Sequence, residues 1–259
     1  MNKKPLLLAF AFLLIIPVML YKSHLRASLP GAEEIVKKAV RMAYGEKSMQ
    51  AQLSLHVFKE DKQEAEIDLK IWQNYPDEFL LLVTAPARYR GNALLRKKKE
   101  VWSWQPDSEK LTKLSPMEIA EVWMDTNISI ANLTNYLSFE GDVAASFKNL
   151  VRWNGTDCYV IEITQNSEAM QTRNNAMLWI DSKNYSIQKS EFYDEDEYLV
   201  ATCQTLRTET LKDHTYPVVS EWKTAGQPAD KTTVMYKSVV FDQTLPARFF
   251  SVENMKTIR

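Results

Sequence analysis

Apolar and polar positions divide the chain into three patterns. Pro5 to Tyr21 runs 17 residues without a charge, behind Lys3 and Lys4. A basic start followed by an apolar run of this length reads as an export signal. As a helix it would be about 26 Å long, close to the roughly 30 Å hydrocarbon core of a bilayer. Leu25-x-Ala27 offers a cleavage site, while Lys22 and Arg26 suit an uncleaved anchor. Residues 1–27 are therefore a signal peptide or an N-terminal signal anchor, and both place the rest of the chain outside the cytoplasm. The run has no cysteine at its end, which excludes a lipid-attachment box.

From Pro30 to Tyr44 the apolar residues Ile35, Val36, Ala39, Val40 and Ala43 recur at helical spacing. Glu33 and Glu34 lie in the first turn and Gly45 follows the last, as helix ends favour. Alternation then takes over. Leu53, Leu55 and Val57 alternate with Ser54, His56 and Phe58; Ile67, Leu69 and Ile71 alternate with Asp68, Lys70 and Trp72. Phe79 to Val83 is continuously apolar, the mark of a strand covered on both faces. Ala93–Arg96 and Val101–Gln105 flank a polar turn. Met117 to Ser138 breaks the pattern and predicts a helix with an irregular middle at Asp125-Thr126-Asn127. Strands resume over about 148–153, 157–164, 176–181, 186–193, 198–209, 216–224 and 232–242. About eleven antiparallel strands with two helical segments predict a mainly β fold, one large curved sheet in a single domain over 28–259.

Composition narrows the function classes. Lys+Arg 32 against Asp+Glu 33 gives a net charge of −1, and removing the basic leader leaves about −5. Nucleic-acid binding is not expected of such a balance. Six glycines and three scattered histidines, His24, His56 and His214, leave little for a phosphate loop, a metal cluster or a triad. Neither a cofactor nor a metal is expected, and the chain does not read as an enzyme. The acidic run Asp194–Glu197 lacks the glycine and the spacing of a calcium loop and reads as a solvated turn. If the later strands form a meander, Cys158 and Cys203 lie three strands, or about 14 Å, apart. A disulfide needs Cα atoms within about 7 Å, so two free, largely buried thiols are expected.

An ordered series of segments carries a family resemblance. Pro86-x-x-x-Arg90-Gly91-x-Ala93-Leu94-Leu95 precedes Val101-Trp102-Ser103-Trp104-Gln105-Pro106, then Lys113-Leu114-Ser115 and Ser129-Ile130-Ala131-Asn132-Leu133. Cys158-Tyr159-Val160-Ile161-Glu162-Ile163 and Leu178-Trp179-Ile180-Asp181 follow. Over roughly residues 32–255 the chain resembles the outer-membrane lipoprotein-sorting family, the LolA/LolB-like periplasmic carriers. Where that family has a Gly-Ser-Asp-Phe-like turn, this chain carries Asp125-Thr126-Asn127-Ile128. The resemblance implies an open half-barrel with an apolar concavity and a helical lid. It implies lipoprotein or lipid acyl chains as cargo and an inner-membrane transporter as the loading partner. The alternative is a non-carrying, membrane-anchored envelope module that docks onto such a transporter. Oligomeric state is left open.

Within that frame, Glu33–Tyr44 and Met117–Leu137 form the lid, and their apolar residues Ile35, Val36 and Val40, with Ile119, Val122 and Trp123, are expected to face the concavity and be buried. Arg90 is a candidate latch to carbonyls of the helical segment. Trp102 and Trp104, two apart in one strand, are expected to wall the acyl-chain cavity. Phe79, Leu81 and Val83, with Met177 and Trp179, are expected to extend that wall.

Overall fold

The computed structural model describes residues 30–134, 143–167, 172–243 and 245–259. The leader and the end of the second predicted helix lie outside the described residues. A helix, α1 (Ala32–Tyr44), leads into β1 (Ser48–Lys59), β2 (Lys62–Asn74), β3 (Glu78–Ala85), β4 (Ala93–Lys97), β5 (Glu100–Gln105) and β6 (Lys110–Lys113). Two short helices follow, α2 (Pro116–Ala120) and α3 (Ile130–Leu133). Then come β7 (Val143–Trp153), β8 (Thr156–Ser167), β9 (Thr172–Asp181), β10 (Ile187–Tyr193), β11 (Leu199–Leu211), β12 (His214–Thr224) and β13 (Lys231–Phe241). A last helix, α4 (Val252–Thr257), ends the chain.

The described strands form one 13-stranded antiparallel sheet in the order β6-β5-β4-β3-β2-β1-β13-β12-β11-β10-β9-β8-β7. Two hairpin meanders are joined side by side where β1 pairs with β13. β6 and β7 are free edges, so the sheet is not closed into a barrel. Leu53, Leu69 and Phe79 nonetheless share one cavity with Leu178, Phe192 and Trp222. β3 and β10 stand six strand positions apart in that order, about 29 Å on a flat sheet at about 4.8 Å per strand. Only a strongly curled sheet brings them to one space, so this is an open half-barrel.

The connectivity fixes what covers each face. β6 and β7 are opposite edges, and α2 and α3, within 114–134, form the described part of the crossing segment between them. α1 precedes the central strand β1 and packs Ile35, Val36, Ala39 and Val40 against Ile161, Ile163, Leu178 and Ile180 of the second meander. The chain leaves β13 at the sheet centre and returns over the outer face of β3–β5. There Phe250 and Met255 are buried against Leu80, Leu82, Ala93 and Leu95.

Local chemistry sets the helix limits. Ser115 and Glu118 form a reciprocal capping box, with Pro116 at the first helical position, so α2 starts sharply. The helical pattern of 117–138 then breaks, because Met124 and Asp125 take left-handed φ angles of 47° and 57°. The expected single helix is therefore two short ones joined by a turn in which Val122 bridges Ser129. α1 closes on Gly45, whose φ is +82° and whose N–H donates to the Arg41 carbonyl. A Cβ at Gly45 would lie 2.7 Å from the Ser48 carbonyl oxygen, so only glycine fits this exit.

Candidate functional site

The inner face carries a cavity of about 190 Å³. Its floor is Met49, Leu53, Leu55, Leu69, Ile71 and Phe79 from the first meander. Ile187, Phe192, Trp222, Val234 and Tyr236 face them from the second, and Val40, Ala43 and Tyr44 of α1 close one side. Ile128, Ala131, Asn132 and Leu133 close the other. The Phe192 and Trp222 rings stack 5.5 Å apart, 14° from parallel, and make one flat wall.

No Asp, Glu, Lys, Arg or His is among the described lining residues. The polar atoms present are uncharged: Gln73, Asn132, Ser190, Cys203, Thr205, Thr215 and Ser220, with the Tyr44, Tyr75 and Tyr236 hydroxyls. Burial pushes the Cys203 thiol up to about 12, against a lowering hydrogen bond from Ser220. Burial likewise raises Tyr236 to about 12, assisted by the nearby Cys203 and Tyr216. At neutral pH the described lining is thus free of charge. Such a space favours an apolar, uncharged guest, because a buried unpaired charge is costly.

The lid side is held to the sheet by residues that periodicity does not flag. Arg96 on β4 is 1% exposed, its guanidinium pointing to the inner face. Its Nε donates to the Thr134 carbonyl at the end of α3 at 2.9 Å. Nη2 donates to the Pro76 carbonyl at 2.8 Å, and Nη1 to the Lys98 carbonyl at 3.3 Å. In the turn between α2 and α3, the Asn127 amide N–H donates to Thr232 Oγ1 of β13 at 2.8 Å. The Asn127 side chain bonds Thr224 of β12 and accepts from Thr232. Thr126 Oγ1 donates back to the Trp123 carbonyl at 2.5 Å and shapes the turn. Asp125-Thr126-Asn127-Ile128 is therefore the clip that seats the crossing segment on the sheet.

Several expected site residues lie elsewhere. Trp102 and Trp104 pack on the outer face, with Phe249, Val252 and Ile258 of the C-terminal cover. Lys256 sits 5.2 Å over the Trp104 ring. The inner face of β5 instead carries Val101, packed with Ile119 and Ala131 of the crossing segment. Both faces of β5 are covered, so its large-small alternation marks an outer platform rather than the cavity wall. Met177 and Trp179 also face outward, since Ala176, Leu178 and Ile180 are the inward set of β9. Trp179 holds the Lys189 ammonium 4.5 Å from its ring, and the adjacent Trp153 ring lies 4.6 Å from the same ammonium. Phe79, Leu81 and Val83 do face inward, and Phe79 lines the cavity.

Ile35, Val36 and Val40 are buried on the sheet-facing side of α1, Ile119 beside Val101, and Trp123 in the inner core. Val122 is 55% exposed, because the turn after α2 points it away from the sheet. Arg90 is also exposed, and its Nε donates to the Thr84 carbonyl of its own turn rather than to the helical segment. The bond to the end of α3 belongs to Arg96. The two cysteines are unpaired, three strand positions apart on opposite faces: Cys203 lines the cavity and Cys158 points outward. The acidic turn at Asp194 is closed on itself, its carboxylate accepting from the Asp196 and Tyr198 amides.

A family model described as "Uncharacterized protein" matches residues 76–257, well over half the chain. The chain belongs to that family. Solved structures share its fold. A LolA superfamily protein from Nitrosomonas europaea is 19% identical, with a TM-score of 0.75 over 87% of this chain and 99% of that one. A putative outer membrane lipoprotein-sorting protein domain from Vibrio parahaemolyticus is 16% identical, with a TM-score of 0.74 over 87% and 98%. A DUF1329 family protein from Desulfovibrio piger is 15% identical, with a TM-score of 0.76 over 88% and 100%. No curated protein sequence matches the chain. The fold is LolA-like, an open half-barrel under helices, as the resemblance implied.

Proposed function

We propose that the protein is a periplasmic carrier that shields an acyl chain of a lipoprotein or other lipid in this cavity during transfer toward the outer membrane. The observation that carries the reading is the charge-free cavity enclosed between the curled sheet and two helical elements. Each acyl CH₂ left in water costs about 0.8 kcal/mol, so a 16-carbon chain carries roughly 12 kcal/mol across an aqueous gap. Burial against Leu53, Leu69, Phe192 and Trp222 offsets much of that cost. The protein works by binding rather than catalysis, and an inner-membrane transporter loads it. Names of structural neighbours that include lipoprotein-sorting proteins support this reading. The test is extraction of the purified exported protein followed by lipid mass spectrometry. Acyl lipids near one per protein are expected; protein that carries none, and takes up none from vesicles, overturns the proposal.

A further inference from the structure

The hydroxyls that line the cavity come mainly from the second meander and from tyrosines. On the second meander Ser190 stands opposite Cys203, Cys203 opposite Trp222, and Thr205 opposite Ser220. Tyr44 at the end of α1 and Tyr236 on β13 enter the same space. Tyr236 and Cys203 lie close enough to Tyr44 to raise its proton affinity, and Cys203 does the same to Tyr236. Thr205 Oγ1 is satisfied, since it donates to the Ile187 carbonyl at 2.6 Å. The Tyr44 and Tyr236 hydroxyls have no hydrogen-bond partner among the described residues, and both line the cavity.

Two unpartnered O–H donors inside an apolar enclosure form a recognition point for a hydrogen-bond acceptor. The described lining residues offer no cation to balance a carboxylate. Burial keeps both phenols protonated well above neutral pH, so they act as donors. We infer that Tyr44 and Tyr236 bind the uncharged carbonyl of an ester- or amide-linked acyl chain, and that the cavity selects such chains over free fatty-acid anions. This rests on the carrier reading and specifies its ligand. It also couples the guest to closure, because Tyr44 belongs to the helix and Tyr236 to the sheet. A carbonyl that accepts from both ties α1 down over its own chain.

The test is displacement of the uncharged fluorophore N-phenyl-1-naphthylamine from the full chain by three probes: methyl laurate, pentadecane and laurate anion. The quantity read is the ratio of ester to alkane affinity. A neutral hydrogen bond changes affinity about fivefold, so Tyr44→Phe and Tyr236→Phe should each lower this ratio about fivefold. Laurate anion at neutral pH should bind at least about tenfold more weakly than its methyl ester to the unaltered chain, a readout that needs no variant. An unchanged ratio in both Phe variants, or laurate anion binding as tightly as the ester, overturns the inference and leaves the carrier reading standing. Failure of all three probes to displace the fluorophore overturns the carrier reading, and this inference with it.

Discussion

Arg96→Leu is expected to destabilise the crossing segment far more than its single charge suggests. The side chain is buried, and its three carbonyl acceptors come from three places: Thr134 ends α3, Pro76 lies in the β2–β3 turn and Lys98 in the β4–β5 turn. A hydrogen bond to a charged group contributes about 1.5–3 kcal/mol, and the carbonyls left behind would be unsatisfied. Removing one side of such a buried charged network costs about 3–5 kcal/mol. For a domain of this size that lowers Tm by about 6–20 °C. Arg96→Lys keeps the charge but has no planar fork for three separated carbonyls, and should fall between. Arg90→Leu is the control: it removes one exposed bond to Thr84 and should cost less than about 0.5 kcal/mol. Urea titration followed by circular dichroism gives the stability, and limited proteolysis within 116–134 reports local opening. The reasoning fails if Arg96→Leu stays within 1 kcal/mol of the parent, by about the measure of an ordinary surface change, or if Arg90→Leu costs as much.

Phe250→Ala should cost about 3–5 kcal/mol, because Phe250 is fully buried on the outer platform; a thermal melt indistinguishable from the parent would remove the C-terminal cover from the account. Trp222→Ala should cost less stability than Phe250→Ala, since its ring borders open space, while acyl-ester affinity falls; the reverse order would place Trp222 in filled core. Alkaline pH should destabilise the protein from about pH 8.5 upward, where unfolded thiols ionise. In the fold Cys158 is pushed to about 11, mainly by burial with Asp181 and Asp157 adding, and Cys203 to about 12. The unfolded chain then binds fewer protons than the native one, so stability falls as pH rises through this window. A Cys158→Ala, Cys203→Ala double variant should flatten that slope, and an unchanged slope would contradict it.

The alternating strands were legible because one buried face imposes period two: β1 and β2 sit where Leu53, Leu55, Ile67 and Leu69 place them. Facing was not legible where both sides are covered. β3, β4 and β5 carry apolar residues on each side, and alternation cannot say which set meets the cavity. That choice depends on the C-terminal segment, whose Phe249 and Phe250 precede and whose Met255 and Ile258 follow Ser251, the cap that accepts from the Asn254 amide. This cluster was the available signal for an outer cover. Large-small alternation alone points Trp102 and Trp104 at the cavity, whereas the structure packs them on the outer face. Arg96 was hidden because an arginine at the end of a strand reads as a polar boundary; only the crossing segment shows that its three acceptors converge. Asn127 sat in a turn whose two left-handed residues have no distinctive sequence signature, since neither Met124 nor Asp125 is glycine. β6, four residues with two lysines, carries too little apolar pattern to be read as a strand.

The most direct test of the carrier account is a crystal structure with an ester-linked acyl chain brominated near its end. The account predicts anomalous peaks inside the half-barrel, between Leu53 and Leu69 on one side and Phe192 and Trp222 on the other, with the ester carbonyl between Tyr44 and Tyr236. Bromine density confined to the outer face, against Trp102 and Trp104 or between Trp153 and Trp179, would contradict it.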